Sequence, residues 1–488
     1  MATCKLVLGG PGSGKTQRLL GIMEEELAHG IEPGRIAYVS FTRAAVHEAI
    51  ERMALRFRLT SKDLPYCRTI HSLTFYVGGL CKGRILGPEH VEELSKYLGV
   101  RIKARDPWEV GEAMLEDDGT RGVFLEGLAR SMCRPLREIW EESDERLSWH
   151  WLEWCAESLR KFKREQCLLD YTDMLEHYVA AGDPVDVDVA IIDEAQDLTM
   201  LQWKVVRRAF GGAQRLYISG DDDQAIYRWA GAAVDEFLAL EADAVEVLPC
   251  SYRLAPAIFE YSQSIIQLVG KRFAKHFDPV PGREGVVIRY GSLDQLDIEP
   301  WRSWLLLARN RRDLTHYHAL LKRRGLPYIS RMGPSVKLEE ARAVEGWLKL
   351  QAGGSVSGAV ANAIGMLCGS AERFDPNAQI SHFSSLDLTN RWYNSMVQME
   401  APKRAYYSAI LENGFSLTAP PTIHVETIHG VKGAEADEVV LLTNLSKRTY
   451  RNFLNRPDDE IRVWYVGATR TRSNLHIVEH TQAHRYPF

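Results

Sequence analysis

Residues 5–16 read KLVLGGPGSGKT, a short apolar run that passes into a glycine-rich loop closed by Lys-Thr. In the pattern G-x-x-x-x-G-K-[ST], Gly9, Gly12 and Gly14 let backbone N–H groups turn inward on a polyphosphate. With Ser13 they form the cradle, Lys15 brings a point charge to the outer oxygens, and the Thr16 hydroxyl is a ligand for Mg2+. The flanks agree: the apolar run predicts a strand, and residues 16–29 (TQRLLGIMEEELAH) predict an amphipathic helix whose N-terminus faces the anion. A nucleotide-binding α/β fold follows from this stretch, whereas the task that the nucleotide drives does not.

The 488 residues suffice for several domains of about 100 to 200 residues each. Hydrophobic content of 45% and charged content of 26% are ordinary for a soluble globular protein, and no apolar run approaches the roughly 18 residues of a membrane span. The N-terminus leads directly into the phosphate-loop strand with no room for a cleavable signal, so the expected compartment is the cytoplasm. The eight cysteines are scattered without a C-x-x-C pair and read as reduced thiols. A net charge of −5 neither implies nor excludes a nucleic acid, because a basic groove can sit in an acidic protein.

Along the chain, residues 35–41 (RIAYVSF) and a helix through Ala54 make a second strand-helix unit, and residues 68–75 (RTIHSLTF) predict a short strand ending in a polar turn. From 77 to 182 the pattern is helical and tryptophan-rich, and Trp140, Trp151 and Trp154 read as core. The α/β pattern resumes in 185–197 (VDVDVAIIDEAQD) and 215–223 (RLYISGDDD), both ending in acids, which strand C-termini place in the ligand crevice. A second α/β pattern starts near Cys250, with candidate strands at 285–290, 303–308, 422–427, 438–443 and 474–479 and no phosphate loop of its own. The expected organisation is a first motor domain at 1–76 and 183–249 with a helical insertion at 77–182. A second follows at 250–345 and 419–488, with a small helical insertion at 346–418.

An NTPase needs a metal-side carboxylate and a group that orients the attacking water; Asp193 suits the first role and Glu194 the second. Read alone, such an acidic pair could cap a helix. DEAQD followed by GDDDQAIYRWAG (220–231) resembles the UvrD/Rep/PcrA family of superfamily 1 DNA helicases. VSFTRAAVHEAIERM, RTIHSLTF, LPCSYRLAPAI, HVETIHGVKGAEADEVVLL and WYVGATRTRSNLHIV resemble the family's other motifs, in order through nearly the whole chain.

The resemblance implies two RecA-like α/β motor domains, with ATP and Mg2+ at the cleft between them and single-stranded DNA across the top. It implies ATP-driven 3′ to 5′ movement with duplex unwinding; the alternative is a translocase that remodels protein–DNA complexes with little unwinding of its own. Expected partners are single-stranded DNA, its junctions with duplex, and replication or repair proteins. By the same resemblance Gln224 senses the γ-phosphate, Arg253 and Arg470 reach the transferred phosphate, Tyr252 stacks on the base and Glu435 holds the ribose. Gln17 stands near the base where many relatives carry arginine. Without the motifs, Arg470 would read as a surface ion pair and Tyr252 as a core ring.

A sequence-blind DNA track needs rings for bases and donors for phosphates. The resemblance points to Phe41, Thr42, His71, Tyr227 and Trp229 in the first domain, and to Arg309, Thr427 and His429 in the second. Phe41 also reads as core and His71 as structural, whereas Trp229 lies in a polar, glycine-flanked loop. The chain has IYRWAGA where relatives often have IYGWRGA, so the arginine precedes the tryptophan as Arg228. The basic runs 271–276 (KRFAKH) and 322–324 read as helix-end cations.

Overall fold

A computed structural model describes residues 3–40, 43–103, 117–143, 147–479 and 484–487. The chain forms two compact units: Met1–Glu284 with Arg451–Thr469, and Gly285–Tyr450 with Arg470–Phe488.

The first unit is built on six parallel strands among the described residues: β1 (Thr3–Leu8), β2 (Ile36–Ser40), β3 (Cys67–Thr69), β4 (Val189–Asp193), β5 (Arg215–Gly220) and β6 (Ala244–Val247), in the order β3-β2-β4-β5-β1-β6. Their continuous apolar runs suit a sheet covered on both faces. Leu6, Leu8, Ala37, Val39, Ala190 and Ile192 pack on one face, and Val7, Ile36, Tyr38, Val189 and Ile191 on the other. Each Val, Leu or Ile side chain among these contributes about 1.5 to 3 kcal/mol when fully buried. The pairings Ser40↔Asp193 and Leu8↔Gly220 bring the strands to an end along one edge, which gathers the loops that follow β1, β4 and β5.

One expectation changes here. Only residues 68 and 69 of the predicted 68–75 strand are extended, as the end of β3; HSLTF belongs to the helix Ile70–Val77, which Thr69 opens by accepting the Ser72 N–H at 3.3 Å. That capping bond outweighs the β-branched composition. Residues 77–182 hold the helices Pro88–Leu98, Asp118–Ser131, Leu136–Glu141, Trp149–Glu165 and Tyr171–Ala181. Trp154 is no core residue: it is 44% exposed, because Leu152, Cys155, Ala156 and Leu159 form the buried face of its helix.

The segment after Cys250 packs on the first sheet. Its two short strands β7 (Cys250–Ser251) and β8 (Asp278–Pro279) pair with each other, and the helices Pro256–Ile266 and Pro457–Ala468 belong to the same unit. Arg462, 2% exposed, holds the second helix there by donating to the carbonyls of Asp222 and Lys271, each at 2.8 Å.

The second unit carries a seven-stranded sheet ordered β12-β11-β15-β10-β16-β17-β9. Its strands are β9 (Val287–Tyr290), β10 (Trp304–Ala308), β11 (Ile329–Ser330), β12 (Gly333–Pro334), β15 (Ile423–Thr427), β16 (Ala436–Leu442) and β17 (Thr471–Val478). All pairings are parallel except β11 with β12. Between the helix Leu338–Gln351 and β15 lie a small hairpin, β13 (Val356–Ser357) with β14 (Gln379–Ile380), and the helices Gly358–Cys368 and Ala401–Glu412. Trp347, Ile364, Tyr407 and Ile410 join them to the core of this sheet. Among the described residues no helix is long and apolar enough to cross a membrane.

Candidate active site

Gly14, in the left-handed region (φ 81°), precedes the helix Lys15–Ala28, whose N-terminus has no side-chain cap. Its first-turn N–H groups therefore point at the loop, an arrangement suited to an anion. Lys15 Nζ donates to the carbonyls of Gly9 (2.9 Å) and Gly10 (3.3 Å). Gly12, at φ 69°, cannot take a side chain: a Cβ there would lie 2.4 Å from Arg253 Cβ. Ser13 Oγ is buried with no hydrogen-bond partner among the described residues, which fits a loop built to hold a polar ligand.

At the end of β4, Asp193 Oδ2 accepts from Thr16 Oγ1 at 3.1 Å and from Tyr38 OH at 2.9 Å. Burial, then the charge of Glu194, pushes the Asp193 carboxyl up to about 6. A buried carboxylate beside a hydroxyl suits a divalent cation, whose charge would offset that cost. Glu194 itself takes a left-handed backbone (φ 54°), a conformation that costs a non-glycine residue about 1 to 3 kcal/mol. Its N–H donates to Asp193 Oδ1 at 2.9 Å, and its carboxylate accepts from the Gln196 amide.

From β5, Gln224 (8% exposed) donates through Nε2 to Asp221 Oδ2 at 2.6 Å. The Asp221 N–H donates to Gln196 Oε1 at 3.0 Å. Burial opposes the charge on Asp221, but the Lys275 ammonium outweighs it and holds that carboxyl below the usual range.

Tyr252 and Arg253 sit against the phosphate loop. The Tyr252 N–H donates to the Gly12 carbonyl at 2.9 Å, Ser251 Oγ donates to the Pro11 carbonyl at 2.6 Å, and Arg253 Nη1 reaches the Thr469 carbonyl at 3.3 Å. The Tyr252 ring is 64% exposed, so it is open to stacking. Gln17 is exposed on the first helical turn. In the second unit Glu435 pairs with Arg472 at 3.6 Å, and Arg470 is buried just ahead of β17.

Phe41 and Thr42 lie outside the described residues. His71 packs edge-on against Tyr171 (5.7 Å between ring centres), and burial pushes it down to about 4. Trp229 is partly exposed and stacks on Phe124 of the helix Asp118–Ser131, 6.2 Å between centres and 27° between planes. Tyr227 is buried beside it. Arg228 is held by Asp235 (2.7 Å) and Asp459 (3.1 Å). In the second unit Arg309 and Thr427 are partly exposed and His429 is buried. Thr427 Oγ1 donates to Glu426 Oε1 at 3.2 Å and accepts the Gly430 N–H at the same distance.

Several site residues escape sequence reasoning. Gln196 lies inside the quoted DEAQD string, but only the fold joins it to Asp221. Tyr171, 57% exposed, has no signal beyond its helix. Lys275 and Arg272 are not helix-end cations: the preceding helix ends at Ile266, and both side chains turn inward onto the acids after β5.

These features define a phosphate-loop, nucleotide-binding α/β protein with a second parallel sheet. The family model for an AAA domain matches residues 1–230, and that for a UvrD-like helicase C-terminal domain matches residues 408–482. YjcD of Bacillus subtilis strain 168 is 26% identical over 291 residues, 55% of this chain and 37% of that protein. DNA helicase II of Escherichia coli K12 is 26% identical over 256 residues, 47% and 33% respectively. The ATP-dependent DNA helicase PcrA of B. subtilis strain 168 is 23% identical over 319 residues, 58% and 40%. The chain thus spans well under two thirds of the length of each. It belongs to the UvrD-like superfamily 1 helicases, and its two α/β cores are the RecA-like motor domains of that family.

Proposed function

We propose that the chain hydrolyses ATP with Mg2+ at the first sheet and uses the cycle to move 3′ to 5′ along single-stranded DNA, separating strands as it goes. The observation that carries the proposal is the convergence of Lys15, Thr16, Asp193, Glu194, Gln224 and Arg253 around one glycine loop. Thr16 and Asp193 would hold the cation, which neutralises phosphate charge during transfer. Glu194 orients and deprotonates the attacking water, Lys15 stabilises charge on the transferred phosphoryl oxygens, and Gln224 reports their presence to the loop that carries Trp229. Tyr252 offers its exposed ring to the base. Arg470 and Glu435 keep their proposed nucleotide roles on the strength of the motifs.

On the DNA side, Trp229 supplies a stacking ring, backed by Phe124, and Thr427 and Arg309 supply phosphate donors. The test is ATP hydrolysis with single-stranded DNA or RNA, followed by unwinding of duplexes with 3′ or 5′ tails. Stimulation by DNA and unwinding from a 3′ tail are expected. Stimulation by DNA with protein displacement but no strand separation would favour the remodelling translocase.

A further inference from the structure

The acids that follow β5 form a cluster that the nucleotide chemistry does not itself use. Oxygens of Asp221, Asp222 and Asp223 lie within 4.8 Å of one another, a spacing that could hold a metal ion. The Lys275 ammonium sits among them instead. Its Nζ lies 2.6 Å from Asp221 Oδ1 and 2.9 Å from Asp223 Oδ2 and also bonds Asp222, and all four side chains are 0% exposed. Arg272 forks onto Asp223 through Nε (2.8 Å) and Nη2 (2.5 Å), and the Phe273 N–H donates to Asp222 Oδ2 at 3.0 Å.

Asp221 is where this cluster meets the nucleotide site. One carboxylate oxygen bonds Lys275 and the other accepts from the Gln224 amide, while its N–H holds Gln196, whose amide in turn donates to Glu194. We infer that Lys275 is a positioning residue for the nucleotide chemistry: by holding Asp221 it fixes the Gln224 amide and, through Gln196, the Glu194 carboxylate. The inference rests on the ATPase reading above.

The physical need is plain. Three adjacent buried carboxylates without a cation repel one another and take up protons, and a protonated or rotated Asp221 no longer presents two anionic oxygens in fixed directions. Arg272 touches Asp223 alone among the three carboxylates and cannot replace Lys275 at Asp221.

The decisive variant is Lys275→Met combined with Asp222→Asn, which removes one positive and one negative charge and leaves the cluster's net charge unchanged. Turnover per bound nucleotide should fall at least about tenfold, with a fluorescent ATP analogue still binding at wild-type stoichiometry and its Kd within about threefold. Arg272→Met should keep turnover within about twofold. Wild-type turnover in the double variant would show that Lys275 only balances charge and would overturn the inference, as would an equal loss in Arg272→Met.

Gln196→Leu cuts the same connection at its other end, removing the acceptor of the Asp221 N–H while leaving every charge of the cluster in place, and it decides the matter if the double variant does not fold. It should lose turnover by at least about tenfold with nucleotide binding retained, and full turnover would contradict the inference. Wild-type protein is assayed alongside with single-stranded DNA. If it hydrolyses no ATP, the ATPase reading itself falls; if it does and both probes match it, only the role of Lys275 falls.

Discussion

At the tips of β1, β4 and β5 the first sheet carries a glycine loop and the acids Asp193, Glu194, Asp221, Asp222 and Asp223. At the corresponding tips of β10, β15 and β16 the second sheet carries Arg309 and Asn310, Thr427 to His429, and Thr443 with Asn444. Both frames are chiefly parallel and buried on both faces, so the frame does not decide the chemistry. The first set of tips concentrates carboxylates and cations that meet through short, buried contacts, as at Lys275 and Asp221. The second set is neutral or basic, and its bonds include those of Thr427 with Glu426 and Gly430, of Thr449 with Asn310 (2.9 Å) and of Thr443 with the Val478 carbonyl (3.2 Å). Beside the glycine loop a buried carboxylate such as Asp193, next to the Thr16 hydroxyl, suits a divalent cation.

Lys15→Ala gives the sharpest break in this comparison. ATP hydrolysis should fall by at least about 100-fold while DNA binding stays measurable; retained turnover would move the nucleotide chemistry away from the first sheet. Next comes Gly12→Ala, where a side chain at φ 69° would meet Arg253 Cβ at 2.4 Å. Strain of about 1 to 3 kcal/mol should appear as weaker nucleotide binding, and unchanged affinity in a titration would separate the Tyr252–Arg253 segment from the loop.

Trp229→Ala should weaken single-strand binding by about 1 to 3 kcal/mol, and Thr427→Ala in the second sheet by about 0.5 to 1.5 kcal/mol. Fluorescence anisotropy ranks the two, and a reversed order would make the second sheet the main grip.

The pH response of His71 is smaller. The unfolded chain takes up a proton near 6.5 and the folded one only near 4, so stability is full above 6.5 and is lost as pH falls toward 4. His71→Gln should therefore lose less Tm than wild type between about pH 7 and 5; equal losses would contradict the burial. Smallest of all, Arg228→Ala should cost about 1 kcal/mol or less and leave DNA affinity within about threefold, since its guanidinium is engaged by Asp235 and Asp459. A large affinity loss would make it a DNA contact.

What was legible in the sequence was local. The phosphate loop and its strand and helix lie within a few dozen residues, and their residue types have one common use. The apolar runs of β10 and β16 stand out because strands buried on both faces carry little else. Contacts between distant segments were not legible. Lys275 meets Asp221 across 54 positions, and KRFAKH resembles any basic run until the fold turns it inward. HSLTF has strand composition, but a single capping bond from Thr69 starts a helix there. Trp154 sits at helical spacing with Trp140 and Trp151 yet falls on the exposed face. Residues 250–284 follow the first sheet because Ser251, Tyr252 and Lys275 bond to it, which no composition change announces.

In the proposed cycle Glu194, just after β4, acts on the attacking water of an ATP hydrolysis that DNA stimulates. The direct measurement is steady-state ATP hydrolysis by wild type and Glu194→Gln, each with and without single-stranded DNA. Stimulation of the wild type by at least about tenfold is expected, with turnover reduced by at least about 100-fold in Glu194→Gln while nucleotide still binds. Hydrolysis indifferent to DNA, or retained in Glu194→Gln, would contradict that cycle.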